Sequence, residues 1–187
     1  MAQKRKDWNG LISGFKASDL VFLDESGCNT DMTRRYAYSL GGSNAVDSAP
    51  LSKPKNTTIL SSIQLDGTLR YTTFSGGTTV ERFKRYLETD LLPHLNGNSV
   101  LIMDHMKSHH AKAVRNLLDS SEVRCIYLPP YSPDLNPIEK LWSKVKAFLR
   151  KFKARTLDAL PNAIQNAFHS VTISDCSGWF RFCGYAL

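Results

Sequence analysis

CIYLPPYSPDLNPIEKLWSKVKAFLRKFK, residues 125–153, decides the fold. Its left end continues a short apolar run, residues 123–128, that reads as a buried strand. A stiff turn with four prolines follows, and then a helix. Asn136 suits the N-cap and Pro137 the first helical position. Ile138, Leu141, Val145, Phe148 and Phe152 recur at spacings of three and four, which makes an apolar stripe for a core. Lys140, Lys144, Lys146, Arg150, Lys151 and Lys153 take the other faces. One acid, Glu139, stands in the first turn.

Two roles are open to Glu139. Asn136-x-x-Glu139 has the spacing of a capping box, in which the acid reaches back to the N-cap amide. Each proline of PPYSPDLNP, however, fixes its own φ, so the loop enters the helix at a preset angle. Such rigidity suits a carboxylate held ready for chemistry. Pro130-Tyr131-Ser132-Pro133 also has the form of a peptide ligand for a partner domain, but such ligands lie in open tracts and this one joins a strand to a helix.

Outward from this stretch the elements alternate. Residues 1–18 are polar and basic with little periodicity, and are expected to form an arm or linker remnant before a domain at 19–187. Leu20-Val21-Phe22-Leu23 reads as a buried strand that stops in a turn at Asp24-Glu25-Ser26-Gly27. Residues 33–40, TRRYAYSL, alternate like a second strand, and 43–55 read as loop. Asp66-Gly67 between 57–64 and 68–74 is a hairpin signal. Helical patterns cover 79–92, 109–118 and 156–171, the first and last with inward Phe83, Leu87, Leu157 and Ile164. SVLIM at 99–103 is another buried strand, and the aromatic tail around Trp179, Phe180 and Tyr185 is expected to pack back. Short apolar strands separated by helices imply a partly parallel sheet covered on both faces. This is the order of an α/β, ribonuclease H-like mixed sheet flanked by helices.

With 24 Lys and Arg against 17 Asp and Glu, the formal charge is +7, which points to a polyanion partner, nucleic acid above all. No apolar run is long enough for a membrane span, and MAQKRKDWNG has no apolar h-region of a signal peptide, so a cytoplasmic, nucleoid-associated protein is expected. The four cysteines form no CxxC pair.

Asp24 and Asp104 each follow a buried strand, where ligand sites of open α/β sheets collect. If those strands are neighbours, the carboxylates face each other across about 4.8 Å, and Glu139 reaches in from the helix. Three carboxylates so close need raised pKa values or cations between them. Hard oxygen donors suit Mg²⁺ or Mn²⁺, and two such ions would serve an in-line phosphoryl displacement. Taken singly, Asp24 is equally a turn residue and Asp104 an N-cap. Glu25 points to the other face of its strand. His105-x-x-x-His109 lacks the glutamate of a zinc-binding HExxH. Arg34 and Arg35, near Asp24, and Lys140, Lys144 and Lys146 are candidates for phosphate contacts, Arg34 and Arg35 otherwise forming a solvated face.

Three blocks carry a family resemblance: FLDESGCNTDMTRRYAYSLGG around Asp24, SVLIMDHMKSHHAKAVRNLL around Asp104 and LPPYSPDLNPIEKLWSKVK around Glu139, with 34 residues between the second and third acids. The chain resembles the catalytic domain of DDE transposases of the mariner superfamily, in their bacterial insertion-sequence branch. The resemblance implies a two-metal site of Asp24, Asp104 and Glu139. His109 matches a family histidine, and with Asn136 it is a candidate to support the acids. It also implies DNA strand cleavage by water followed by strand transfer from the freed 3′-hydroxyl, on element ends and target DNA, by a homodimer. His105 stands where relatives usually carry Asn. Such transposases also recognise element ends with a helix-turn-helix region, expected here from the other half of a split reading frame. The alternative is a truncated, catalytically silent DNA-binding or assembly remnant.

Overall fold

The computed structural model describes residues 2–34, 36–48, 50 and 54–185. A five-stranded sheet runs in the order β3-β2-β1-β4-β5. Its strands are β1 (Leu20–Cys28), β2 (Thr57–Gln64), β3 (Leu69–Ser75), β4 (Val100–Met103) and β5 (Arg124–Tyr127). β1, β2 and β3 pair antiparallel, while β4 and β5 lie parallel to β1. Asp66-Gly67 makes the hairpin: Gly67 takes φ +89°, which only glycine enters cheaply, and Thr68 N donates to Asp66 Oδ1 at 2.8 Å.

Helices α1 (Ala2–Ile12), α2 (Val80–Tyr86), α3 (Lys112–Asp119), α4 (Ile138–Phe152), α5 (Leu160–His169) and α6 (Ile173–Phe182) cover the sheet. Alternation along β1 divides the core. Leu20 and Phe22 face a layer of α4, α5 and α6, which brings Ile138, Leu141, Val145 and Phe180. Val21 and Leu23 face α2 and α3, with Phe83, Leu87 and Val114. The tail packs back as its aromatics require: Phe22 meets Phe180 edge-on at 5.4 Å and Tyr185 at 5.1 Å. Each fully buried ring of this kind contributes about 1.5–3 kcal/mol.

Several elements depart from the sequence-based expectations. β1 does not stop at Asp24; β2 pairs with it through Cys28, and this hydrogen bonding carries the polar Asp24-Glu25-Ser26 through as strand. Residues 33–40 form no strand among those described, and Tyr36, Tyr38 and Leu40 are exposed. β1 pairs with β2 along Val21–Cys28 and with β4 along Leu20–Phe22, and the described residues of 33–40 pair with neither side. In place of a loose arm stands α1, whose Trp8 is buried in the α4 layer. β5 is an edge strand, only partly buried. α5 begins at Leu160 because Pro161 favours a first turn, and this leaves Leu157 exposed. The core stripe of α4 takes in Trp142 and Leu149, and Phe152 is left outside.

Candidate active site

β4 pairs with β1 only from Leu20 to Phe22, whereas β2 continues to Cys28. Beyond Phe22 the β4 side of β1 is therefore open. Continuing the register Leu20↔Val100, Phe22↔Ile102 brings Asp104, just past β4, level with Asp24. Both acids line one cavity, although Asp24 lies inside its own strand.

α4 supplies the third acid. Asn136 is extended, and α4 starts at Ile138 after the rigid turn. Asn136 Oδ1 is buried with no hydrogen-bond partner, so the capping box does not form. Glu139 and Trp142 lie one helical turn apart and so share a face. The Trp142 indole N–H donates to Asp24 Oδ2 at 3.0 Å. Asp24, Asp104 and Glu139 line one cavity of about 440 Å³, together with Asn136, Met106 and Tyr131.

The carboxylates differ in environment. Burial pushes Asp24 up to about 7; Glu25 and Glu139 add repulsion, partly offset by hydrogen bonds from the Glu25 amide and Trp142. Asp104 moves the other way. Burial alone would raise it, but hydrogen bonds from His109 and the Met106 amide hold it below the usual carboxylate range. Met106 N donates to Oδ1 at 2.9 Å, and His109 Nδ1 lies 3.0 Å from the same oxygen.

His109 has no exposed side-chain surface, and its Nε2 lies 3.2 Å from Oε1 of Glu25. Burial works against its charge, yet the two carboxylates outweigh it and raise the imidazole to about 10. Its ring stacks on Phe83 at 4.2 Å. Thus Glu25, on the opposite face of β1 from Asp24, is tied to Asp104 through one buried imidazolium. His105 instead stacks on Tyr127 at 5.1 Å and lies 5.3 Å from His110, at the edge of the sheet.

The donor set fits a hard divalent cation: three carboxylates around one cavity, one of them buried and short of positive charge. Among the described residues no three His, Cys, Asp or Glu side chains already converge on one point. Asp104 is drawn toward His109, and Glu139 is exposed.

The candidate phosphate contacts do not form one patch at the acids. Lys140 Nζ sits 3.8 Å over the Phe182 ring, and Lys144 Nζ pairs with Asp175 Oδ2 at 2.5 Å. Lys146 lines a separate cavity beside Cys28 and Asn29. Arg34 is exposed in the loop after β1, and Arg35 lies outside the described residues. Trp142 and Tyr131 were not foreseen as site residues; the three-residue step from Glu139 is the signal that could have found Trp142.

Residues 19–161 match the family model described as DDE superfamily endonuclease. Over 97 residues the chain is 29% identical to the Transposable element Tc1 transposase of Caenorhabditis elegans, covering 50% of this chain and 36% of that one. It superposes on a Mos1 transposase paired-end complex with left transposon end at a TM-score of 0.80, with 18% identity, covering 95% of this chain and 57% of that one. The crystal structure of the catalytic domain of Mos1 mariner transposase gives 0.72, with 16% identity over 96% of this chain and 85% of that one. At these identities the likeness is one of fold, and the mixed sheet flanked by helices is the ribonuclease H-like arrangement expected from the element order. The chain spans little more than half the length of the first Mos1 chain, and the match covers about a third of the Tc1 protein. No helix among the described residues is long and apolar enough to cross a membrane.

Proposed function

Since the chain belongs to the DDE superfamily of endonucleases, we propose that it is the catalytic part of a transposase that cuts DNA and joins the freed end to a target. Water attacks a backbone phosphorus and displaces its 3′-oxygen; the resulting 3′-hydroxyl then attacks a phosphorus of target DNA and displaces a 3′-oxygen there. One observation carries this reading: strand register and α4 bring Asp24, Asp104 and Glu139 to the same cavity.

Asp24, Asp104 and Glu139 would hold Mg²⁺ or Mn²⁺, two ions in the full form of the proposal. A Mos1 paired-end complex has been solved with Mn and another with Mg. A bound divalent cation supplies activation of the attacking oxygen and neutralisation of charge at the phosphate. The chain's own groups prepare that site. Trp142 holds the Asp24 carboxylate in place. His109, itself oriented by Glu25, holds that of Asp104. Glu139, exposed on the first turn of α4, lines the same cavity. Element-end and target DNA as substrates, the bacterial insertion-sequence branch, action at the nucleoid, the homodimer on DNA and the helix-turn-helix partner all belong to the same proposal.

A second reading, a catalytically silent DNA-binding remnant, draws on the engagement of Asp104 with His109 in place of a shared point with the other acids. Plasmid nicking in Mn²⁺ separates the two. Nicking by the wild type that is abolished in Asp24→Asn, Asp104→Asn and Glu139→Gln is the expected result. DNA binding without nicking in any preparation favours the remnant.

A further inference from the structure

The turn between β5 and α4 holds a tyrosine in a conformation that tyrosine avoids. Tyr131 has φ +54°, in the left-handed region where a Cβ is crowded. Pro130 and Pro133 fix their own φ on either side, and the intervening Ser132 is buried. The backbone is thus constrained, yet the ring it carries is 87% exposed. A core would not use an aromatic this way, and an observed backbone outlier beside a candidate site points to a role there.

Tyr131 stands between two cavities. It shares with Pro129, Pro130 and Ser132 the wall of the cavity that holds the three carboxylates. The same four residues wall a second cavity, of about 260 Å³, whose other lining is Lys4 and Arg5 of α1. Arg5 is anchored beside it by Asp134. An acid-lined space and a cation-lined space, separated by an exposed ring between prolines, match successive parts of one nucleotide strand. A phosphate would be handled at the acids, its base would lie on the ring, and an adjoining phosphate would meet Lys4 and Arg5.

We propose that Tyr131 is a stacking platform for an unpaired nucleobase of the DNA strand that enters the acid-lined cavity, with Lys4 and Arg5 of α1 taking a neighbouring phosphate. A base inside a duplex hides its face, so the platform selects a nucleotide already out of the stack. The identity of the strand rests on the DNA-cleaving function proposed above.

Fluorescence anisotropy with a short labelled single strand, and with a blunt duplex of the same sequence, tests the platform. Tyr131→Gly relieves the left-handed backbone, so loss of binding in that variant cannot be put down to misfolding. Single-strand affinity falls about tenfold in Tyr131→Gly and Tyr131→Ala, is kept in Tyr131→Phe, and duplex affinity is unchanged in all three. A 2-aminopurine in the strand is quenched by the wild type and not by Tyr131→Gly. Equal single-strand affinity in wild type and Tyr131→Gly overturns the platform. So does a loss in Tyr131→Phe as large as that in Tyr131→Gly, or a wild type that does not bind the single strand. Plasmid nicking by the same preparations is scored separately: a wild type that stacks but never nicks contradicts the transposase reading and leaves the platform standing.

Discussion

The Trp142 indole donates to Asp24 Oδ2 at 3.0 Å, so the helix that carries Glu139 also grips the first acid. Seating α4 on the sheet therefore sets two of the three carboxylates together. The indole is itself buried in the core, its ring near-perpendicular to that of Phe168 at 6.5 Å.

Replacing Trp142 with Phe keeps most of the ring's bulk and removes the N–H. That hydrogen bond lowers the Asp24 pKa, so the variant's carboxylate is harder to ionise. A hydrogen bond to a charged group contributes about 1.5–3 kcal/mol, so nicking falls about tenfold or more and half-saturation needs more Mn²⁺. Nicking rates across a Mn²⁺ titration check this, with far-UV circular dichroism to confirm the fold. An unchanged titration would show the bond to be incidental.

Asp24 also predicts a pH dependence of stability without metal. In the unfolded chain this carboxyl ionises near pH ~4; in the folded chain it does so at about 7. Between the two the folded state keeps a proton that the unfolded chain has released. The associated stability is present in full below the unfolded value and is lost as pH rises through about 7, by at most about 4 kcal/mol. Asp24→Asn cannot ionise and escapes that loss. Urea unfolding at about pH 5 and about pH 8 should favour the variant more at the higher pH; parallel curves would contradict the assignment.

For His109 the window lies higher. Its folded pKa is raised to about 10, so its contribution is full below the ordinary histidine value and disappears as pH rises through about 10. His109→Ala strands the buried Glu25 carboxylate, at a cost of about 3–5 kcal/mol. Glu25→Gln leaves the ring its bond to Asp104 and costs less. Denaturant midpoints of the two variants give the order, and His109→Ala losing no more than a surface substitution would refute the Glu25–His109–Asp104 link.

On α4, Lys144 is committed to Asp175, which also accepts from Thr172 N and Oγ1 at 2.8 Å in the cap of α6. Lys144→Ala should therefore lower the melting temperature while changing the salt dependence of DNA binding little. Lys146→Ala should do the reverse, reducing the salt slope by about one. Binding isotherms at several salt concentrations, paired with thermal melts, distinguish the two lysines. Equal slopes for both variants would mean that α4 does not lie along the DNA.

Elements with a strong local period were legible in the sequence: α4, β4 and the Asp66-Gly67 hairpin each carry their own signal. The misses came from partners that no local pattern reveals. Residues 33–40 alternate as well as β2 does, but alternation makes a strand only where a neighbour pairs with it, and the described ones have no pairing in the sheet. Asp24-Glu25-Ser26 reads as a turn because its polarity is local, whereas the β2 pairing that keeps it extended is not. That Asp24, Asp104 and Glu139 share a cavity was legible from the strands before the aspartates and the helix start at the glutamate. Glu25 was set aside because its side chain leaves the opposite face of β1; the structure shows that face reaching Asp104 through His109, a link across 84 residues of sequence.

The order in which these groups lie along the chain has a bearing on synthesis. All five strands, with Asp24 and Asp104, precede residue 128, whereas Glu139 and the Trp142 that steadies Asp24 belong to α4. A chain still emerging from the ribosome can pair its sheet while the third carboxylate remains in the exit tunnel. The cavity stays incomplete until α4 is released and docks, so a half-made chain exposes two aspartates without the glutamate beside them.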